Sequence, residues 1–398
     1  MNTFQDFEKK SVNRILLWQE GQNNMFKDYK TEGCFKGIKE QHNIMVFIGN
    51  GFDISVLKKY RNDGLITSYS KFYEFLCYRG FNESNILYSR MKEDKQEKRE
   101  NWSDFECSLD ALLKEDILHS SALEKSLKEM QSMFLLFLNE IVTPEILFNL
   151  NNDTEINGWG KKALAEFLGD LSEGDYRNIK FPQNTYHCHM YNYLFVNFNY
   201  TSLFDNYIYF DKYHFEPKPY KTVDRNFTFI PNPNDLDYYG NTKIRWSSYI
   251  MTDVIHPHGY QNIPRSLLFG IENEQYKNNR ELRRFNKSYW AQDEQKYKSY
   301  FRDASLFIIY GTSIGETDSW WWKNIFNCLL SGKSELIIYF YKSGSIEKED
   351  VKRRFISACK IDLLNTEDIN KVKEKIYVVL YDESTKHKMF SIKNAEED

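Results

Sequence analysis

Four short clusters of small and polar residues could do chemistry in this chain, and each follows a run of β-forming residues. They are Gly49-Asn50-Gly51-Phe52-Asp53, Asn197-Phe198-Asn199-Tyr200-Thr201, His256-Pro257-His258-Gly259 and Gly311-Thr312-Ser313-Ile314-Gly315. Glycines let backbone N–H groups approach a pyrophosphate closely. Gly49-x-Gly51 alone could equally be a tight turn. It lacks the third glycine of the dinucleotide fingerprint, and no acidic residue closes a second strand about 20 residues later. His258, directly before Gly259, can take a proton near neutral pH and is the candidate general base, more exposed than His256. The two histidines, spaced two apart, would share one strand face and could form a metal pair. No HExxH or second histidine pair accompanies them, so no metal is expected. Asn199 either reaches the same pocket or caps a helix beginning near Thr201. Gly311-x-Ser313-x-Gly315 matches the nucleophile elbow of α/β-hydrolases, with His387 the one histidine after it. That reading leaves only two strands after Ser313, shows no HGGG-like oxyanion loop and ignores the other three clusters.

The elements that must position these clusters are strands. Residues 43–48, 193–198, 253–257, 305–310, 335–341 and 375–381 read as short, continuous β-rich runs, the pattern of parallel strands buried on both faces. In an open parallel sheet, ligands bind beyond the carboxyl ends of the strands, so four clusters at four strand ends would line one pocket. Between the first two runs, residues 69–78, 104–118, 122–140 and 161–171 space apolar residues at three and four, as helices do. Ser103-Asp104-Phe105-Glu106 reads as a capping box. Glu106 could also reach the pocket, but capping is its preferred role. The expected fold is α/β, a Rossmann-like parallel sheet flanked by helices, with a large helical insertion (66–190) after the first strand. Residues 1–42 form an N-terminal extension with one apolar stretch, Ile15-Leu16-Leu17-Trp18. Residues 43–390 form the α/β domain and 391–398 an acidic tail. Residues 209–250 and 275–300 are polar, aromatic and irregular, decoration or lid rather than core.

With 398 residues, 41% hydrophobic and 28% charged, the chain can build a real core. Its formal net charge of −4 gives no overall attraction to nucleic acid or anionic membrane. The one local exception interleaves Lys277, Arg280, Arg283, Arg284 and Lys287 with Tyr276, Phe285, Tyr289 and Trp290. It is read as a solvated helix face rather than a nucleic-acid surface. The 28 Tyr and 30 Phe accompany abundant Asn, Lys and Ile, as a codon bias would produce. The six cysteines are scattered with no CxxC pair, as expected of reduced, mostly buried cytosolic thiols. No apolar signal region opens the sequence and no run approaches the roughly 18 apolar residues of a membrane helix. A cytoplasmic protein with no membrane partner is expected.

In order, the clusters resemble a known family. The first cluster with Thr67-Ser68-Tyr69-Ser70-Lys71-Phe72 following, then Trp102-Ser103-Asp104-Phe105-Glu106, the second and third clusters, Phe269-Gly270-Ile271 and Gly311-Thr312-Ser313-Ile314-Gly315-Glu316 are similar to AbiH proteins of bacteriophage abortive infection. In abortive infection an infected bacterium is stopped before phage are released. More distantly, the same landmarks resemble the sirtuin nucleotide fold, which has a GAG-type loop, an x-x-Asn-x-Asp segment, a His-Gly and a Gly-Thr-Ser in this order. That resemblance implies that NAD is bound, with Gly49, Asn50, Gly51, Phe52 and Asp53 on the pyrophosphate side. It places Asn199 and His258, followed by Gly259, at the nicotinamide ribose, and Gly311, Thr312 and Ser313 towards the adenosine. Thr201 stands where sirtuins carry Asp, and Asp53 where they carry Ser. The four-cysteine zinc module of deacylases is missing, so the implied activity is hydrolysis of NAD to nicotinamide and ADP-ribose. A non-catalytic module sensing NAD or an ADP-ribose derivative is the other reading. A homo-oligomer or a regulatory defence partner is expected to restrain NAD consumption, with the helical insertion or the extension as its seat.

Overall fold

A computed structural model describes residues 26–30, 38–100, 102–115, 120–182, 189–214, 249–342, 344–361 and 365–393. The apolar stretch Ile15-Leu16-Leu17-Trp18, much of 209–250 and the last five residues of the acidic tail lie outside them.

All six expected strands are present: β1 (Glu40–Ile48), β2 (His189–Asn197), β3 (Tyr249–Ile255), β4 (Leu306–Tyr310), β5 (Glu335–Tyr341) and β6 (Ile376–Tyr381). They form one sheet in the order β3-β2-β1-β4-β5-β6, and every neighbouring pair is parallel. This is the Rossmann order, and it reverses between β1 and β4. β1–β3 begin earlier than the apolar runs suggest. Their first residues (Glu40, Gln41 and His42 in β1; His189 to Asn192 in β2) are mostly polar yet pair in full register. β1 therefore takes its first three residues from the stretch read as extension.

Side chains alternate across β1 as the two-residue period requires. Ile44, Val46 and Ile48 join one core cluster, while Met45 and Phe47 join the other. The first cluster is covered by α1 (Asn50–Tyr60) and by the insertion: α2 (Tyr69–Tyr78), α3 (Ile86–Gln96), α4 (Phe105–Glu115), α5 (Ser120–Ile141), α6 (Pro144–Asn157) and α7 (Trp159–Glu166). After β2, α8 (Leu203–His214) packs on the same face. The opposite face is covered by α9 (Ser319–Ser331), α10 (Lys348–Ala358) and α11 (Thr366–Lys373), with Trp321 and Trp322 against Phe47. Within the insertion α3, α6 and the short helix Glu173–Asn178 were not expected from periodicity.

Among the described residues no single helix is long and apolar enough to cross a membrane. α5 and α6 reach that length and hydropathy only together, and they are bent by 56° with most of their apolar residues in the core, Leu136, Phe148 and Ile156 being exposed. Of the six cysteines, Cys34 and Cys188 lie outside the described residues; the other four are free thiols, but only Cys359 is buried, with Cys328 half-buried and Cys77 and Cys107 exposed. Ile392 packs on the core and the carbonyl of Lys393 accepts from the Trp159 indole (2.8 Å), so the tail is anchored through residue 393.

Candidate functional site

Register alone brings the four clusters level. Ile48 pairs with Asn197 on one side and Tyr310 on the other, and Val196 pairs with Ile255. The residues just beyond these positions therefore meet at the carboxyl edge, around a crevice of about 1050 Å³. Gly49, Asn50, Gly51, Asp53, Asn199, His258, Gly311, Thr312 and Ser313 all line it. Phe52 and Gly259 do not. Phe52 is buried against Phe204 and Tyr207. Gly259 (φ +91°) sits where a Cβ would lie 1.9 Å from the Ser266 carbonyl oxygen, so it serves the turn that presents His258.

The glycines of the first cluster have a reason of their own. Gly49 N donates to the Tyr310 carbonyl (2.9 Å) and Gly51 N to the Gly311 carbonyl (2.8 Å), which ties the β1 and β4 loops together. A Cβ on Gly49 would lie 2.6 Å from the Thr312 Cα, and one on Gly51 2.7 Å from the Gly311 Cα. Small residues are required because two backbones touch. Any contact these glycines make to a ligand cannot use those two amide protons.

Asn199 caps no helix. Its Nδ2 donates to Asp53 Oδ1 (2.9 Å) and to the Gly49 carbonyl (3.1 Å), which fixes the first cluster against the second and leaves Oδ1 as its acceptor. Thr201 Oγ1 donates to the other Asp53 oxygen (2.6 Å). Burial raises the Asp53 carboxyl to about 7 in spite of these two hydrogen bonds. The two histidines of the third cluster lie beyond β3 and do not share a face. His256 Nε2 is 3.0 Å from Asp205, whereas His258 Nε2 is 3.2 Å from Asp318 Oδ1. His258 is the more enclosed, 5% exposed, with its ring stacked on Phe198 at 4.8 Å. It is not the exposed member expected, and the two imidazoles turn to different carboxylates.

Behind His258 runs a chain of buried charges that the sequence reading missed. Lys287 Nζ is 2.8 Å from Glu106 Oε2 and 3.6 Å from Asp318 Oδ1. Burial alone would lower the Lys287 ammonium, but Asp318 and Glu106 outweigh it and hold it above its ordinary value. Burial would raise Asp318, yet Lys287 and His258 pull it well below the usual carboxylate range. Burial and then Lys287 lower His258, and Asp318 offsets part of that. At neutral pH the imidazole is therefore an unprotonated base beside an ionised carboxylate. Glu106, raised by burial to about 7, also accepts the Gly270 amide (3.0 Å). The capping role belongs to Asp104, whose Oδ1 accepts from Glu106 N (3.0 Å) and Cys107 N (3.4 Å).

Lys287 reaches this position because Ile271 N donates to Phe285 O (2.9 Å) and Lys287 N donates to Ile271 O (3.0 Å). The basic run is thus not one solvated helix. It is broken into short turns that send Lys287 inward and pair Arg284 with Glu124 and Glu281. Outside these turns lies a second hollow of about 1190 Å³, over Arg280, Arg283, Trp290 and Lys323, with none of the strand-end clusters in it.

The ordered clusters are thereby one site, and the sequence that builds it can be placed. The family model for bacteriophage abortive infection AbiH matches residues 45–340, from the start of the apolar run of β1 to the end of that of β5. The chain belongs to the AbiH family. That membership carries a role in bacteriophage abortive infection. No curated protein matches the sequence.

In this AbiH chain Asp53 and Thr201 face each other. The Asp53 carboxyl, in the first turn of α1, and the Thr201 hydroxyl, on the loop after β2, are joined by the 2.6 Å hydrogen bond. The elbow reading of Ser313 finds little support in the geometry. The left-handed residues of that loop are Gly311 and Ile314, not Ser313. His387 Nδ1 is 2.8 Å from the Met389 carbonyl, its ring lies against Tyr381, and no hydrogen bond among the described residues joins it to Ser313.

Proposed function

We propose that this AbiH chain hydrolyses NAD to nicotinamide and ADP-ribose, as the effector step of abortive infection. The observation that carries the reading is an unprotonated, enclosed His258 beside ionised Asp318, at the switch point of a Rossmann-ordered sheet. In the reaction a water oxygen bonds to C1′ of the nicotinamide ribose while the C1′–N bond breaks. The bonding pair leaves with nicotinamide and neutralises its ring. The water proton passes to His258, and Asp318 stabilises the imidazolium that forms. Lys287 holds Asp318 ionised until that moment. Asn199, with both amide protons committed to Gly49 and Asp53, keeps the β1 and β2 loops in place and offers Oδ1 to a ribose hydroxyl or to water.

The test is turnover of NAD by the full chain, with nicotinamide and ADP-ribose separated by chromatography. His258→Ala is expected to lower turnover about 10²–10⁴-fold. Asp318→Asn is expected to lower kcat with little change in KM. Unchanged NAD, with no saturable binding, defeats the proposal. A second reading, a sensor that binds NAD or an ADP-ribose derivative without cleaving it, is favoured by the donors of Asn199 being committed inside the protein. Saturable binding without turnover, retained in His258→Ala, supports that reading instead.

A further inference from the structure

At the opposite, amino edge of the sheet a second set of chemistry-bearing residues converges. In the β1–β2 register Glu40 is level with His189 and His42 with Tyr191, so Glu40, His42 and His189 lie on one face at the strand starts. His42 Nε2 and His189 Nδ1 are 3.0 Å apart, and His189 Nε2 is 3.9 Å from Glu40 Oε2. One ligand atom from each of the three residues fits within a 4.8 Å spread. The ring of His42 is fixed by stacking on Tyr191 (5.0 Å) and by the edge of Phe181 (5.9 Å).

We propose that Glu40, His42 and His189 bind a divalent transition-metal ion of the zinc type. Two imidazole nitrogens and one carboxylate are a common zinc donor set, with a fourth position left for water. At zinc–nitrogen bonds of about 2.0–2.1 Å, tetrahedral donors stand roughly 3.3 Å apart. The two imidazole nitrogens need to separate only slightly from 3.0 Å. A direct hydrogen bond between the histidines accounts for one contact, but it leaves the Glu40 carboxylate too far from His189 to be hydrogen-bonded. Glu40 is largely exposed and can swing in from solvent. The ion would join residues 147 apart in the chain, pinning β1 to β2 at the foot of the whole helical insertion.

The probe is Zn²⁺ alone, titrated calorimetrically into chelator-treated full-length chain, with the melting temperature read in parallel. One site per chain is expected. His42→Ala and His189→Gln should each weaken binding by at least roughly tenfold. They should also abolish the rise in melting temperature on adding Zn²⁺. Glu40→Gln, exposed and unable to unfold the chain, should weaken binding by a smaller factor. No binding to the native chain, or binding that all three variants retain unchanged, overturns the proposal. NAD turnover by His42→Ala should match the unaltered chain, which separates this site from the crevice at the other edge.

Discussion

At the scale of single residues, a buried carboxyl and a buried ammonium make opposite demands on their surroundings. Asp53 is held at about 7 by burial, above its ordinary 3.8, so the folded chain binds that proton more tightly than the unfolded one. Its contribution to stability is full below about pH 4 and is lost as pH rises through about 7. The shift corresponds to at most roughly 4 kcal/mol. Asp53→Asn should flatten this part of the profile, seen as a smaller difference in urea unfolding free energy between about pH 5 and about pH 8. Lys287 works the other way, since its charge keeps Glu106 and Asp318 tolerable indoors. Lys287→Met should cost about 3–5 kcal/mol, and adding Glu106→Gln should recover part of that loss. A single-variant cost below about 1 kcal/mol would remove Lys287 as the anchor of the site. Sequence made His258, Asn199 and the glycines legible because they follow strand ends directly. Lys287 and Asp318 were not legible. Lys287 lies in an irregular stretch that mixes buried Phe285, Asn286 and Ser288 with exposed Tyr289 and Trp290, and its partner Glu106 is 181 residues away. Asp318 stands at the start of α9, outside all four clusters. Glu106 was misread for a similar reason, since its spacing from Ser103 fits a cap that Asp104 in fact provides.

At the scale of elements, the central strands could be read because each holds a continuous apolar run closed by a turn signal, whereas edge strand β3, with exposed Asp253, gave a weaker pattern and only its last residues fell in the run read for it. α6 announced itself only at its ends, through Thr143 and Pro144 at the start and left-handed Gly158 at the close. α3 buries a few residues of a mostly polar segment, so its apolar period is faint. Loops were harder still, because the reason for a glycine there is the neighbouring loop. Gly49→Ala sets a methyl group against the backbone of Gly311 and Thr312. It should destabilise the chain by about 1–3 kcal/mol and weaken any ligand binding in the crevice. Gly174→Ala, with nothing within 4 Å of the added Cβ, is the control and should stay within about 0.5 kcal/mol of the parent in the same urea titration.

At the scale of the whole molecule, the AbiH match runs from the apolar run of β1 to that of β5 and so takes in all four strand-end clusters and the insertion between β1 and β2. The order of strands follows from no single segment; it emerges from β1 having its neighbours far along the chain. His42 and His189 are 147 residues apart, and the Asn43 carbonyl meets Ser305 across 262. On a ribosome adding about 5–20 residues per second, β1 is made first and waits roughly ten to thirty seconds for β2, longer for β4. During synthesis its apolar Ile44-Met45-Val46-Phe47-Ile48 has no strand to pair with. Release of a chain cut short before residue 306 would leave β1 open along one side, a template for joining other chains. The central strand that organises the crevice is also the one that depends most on the rest of the chain being finished.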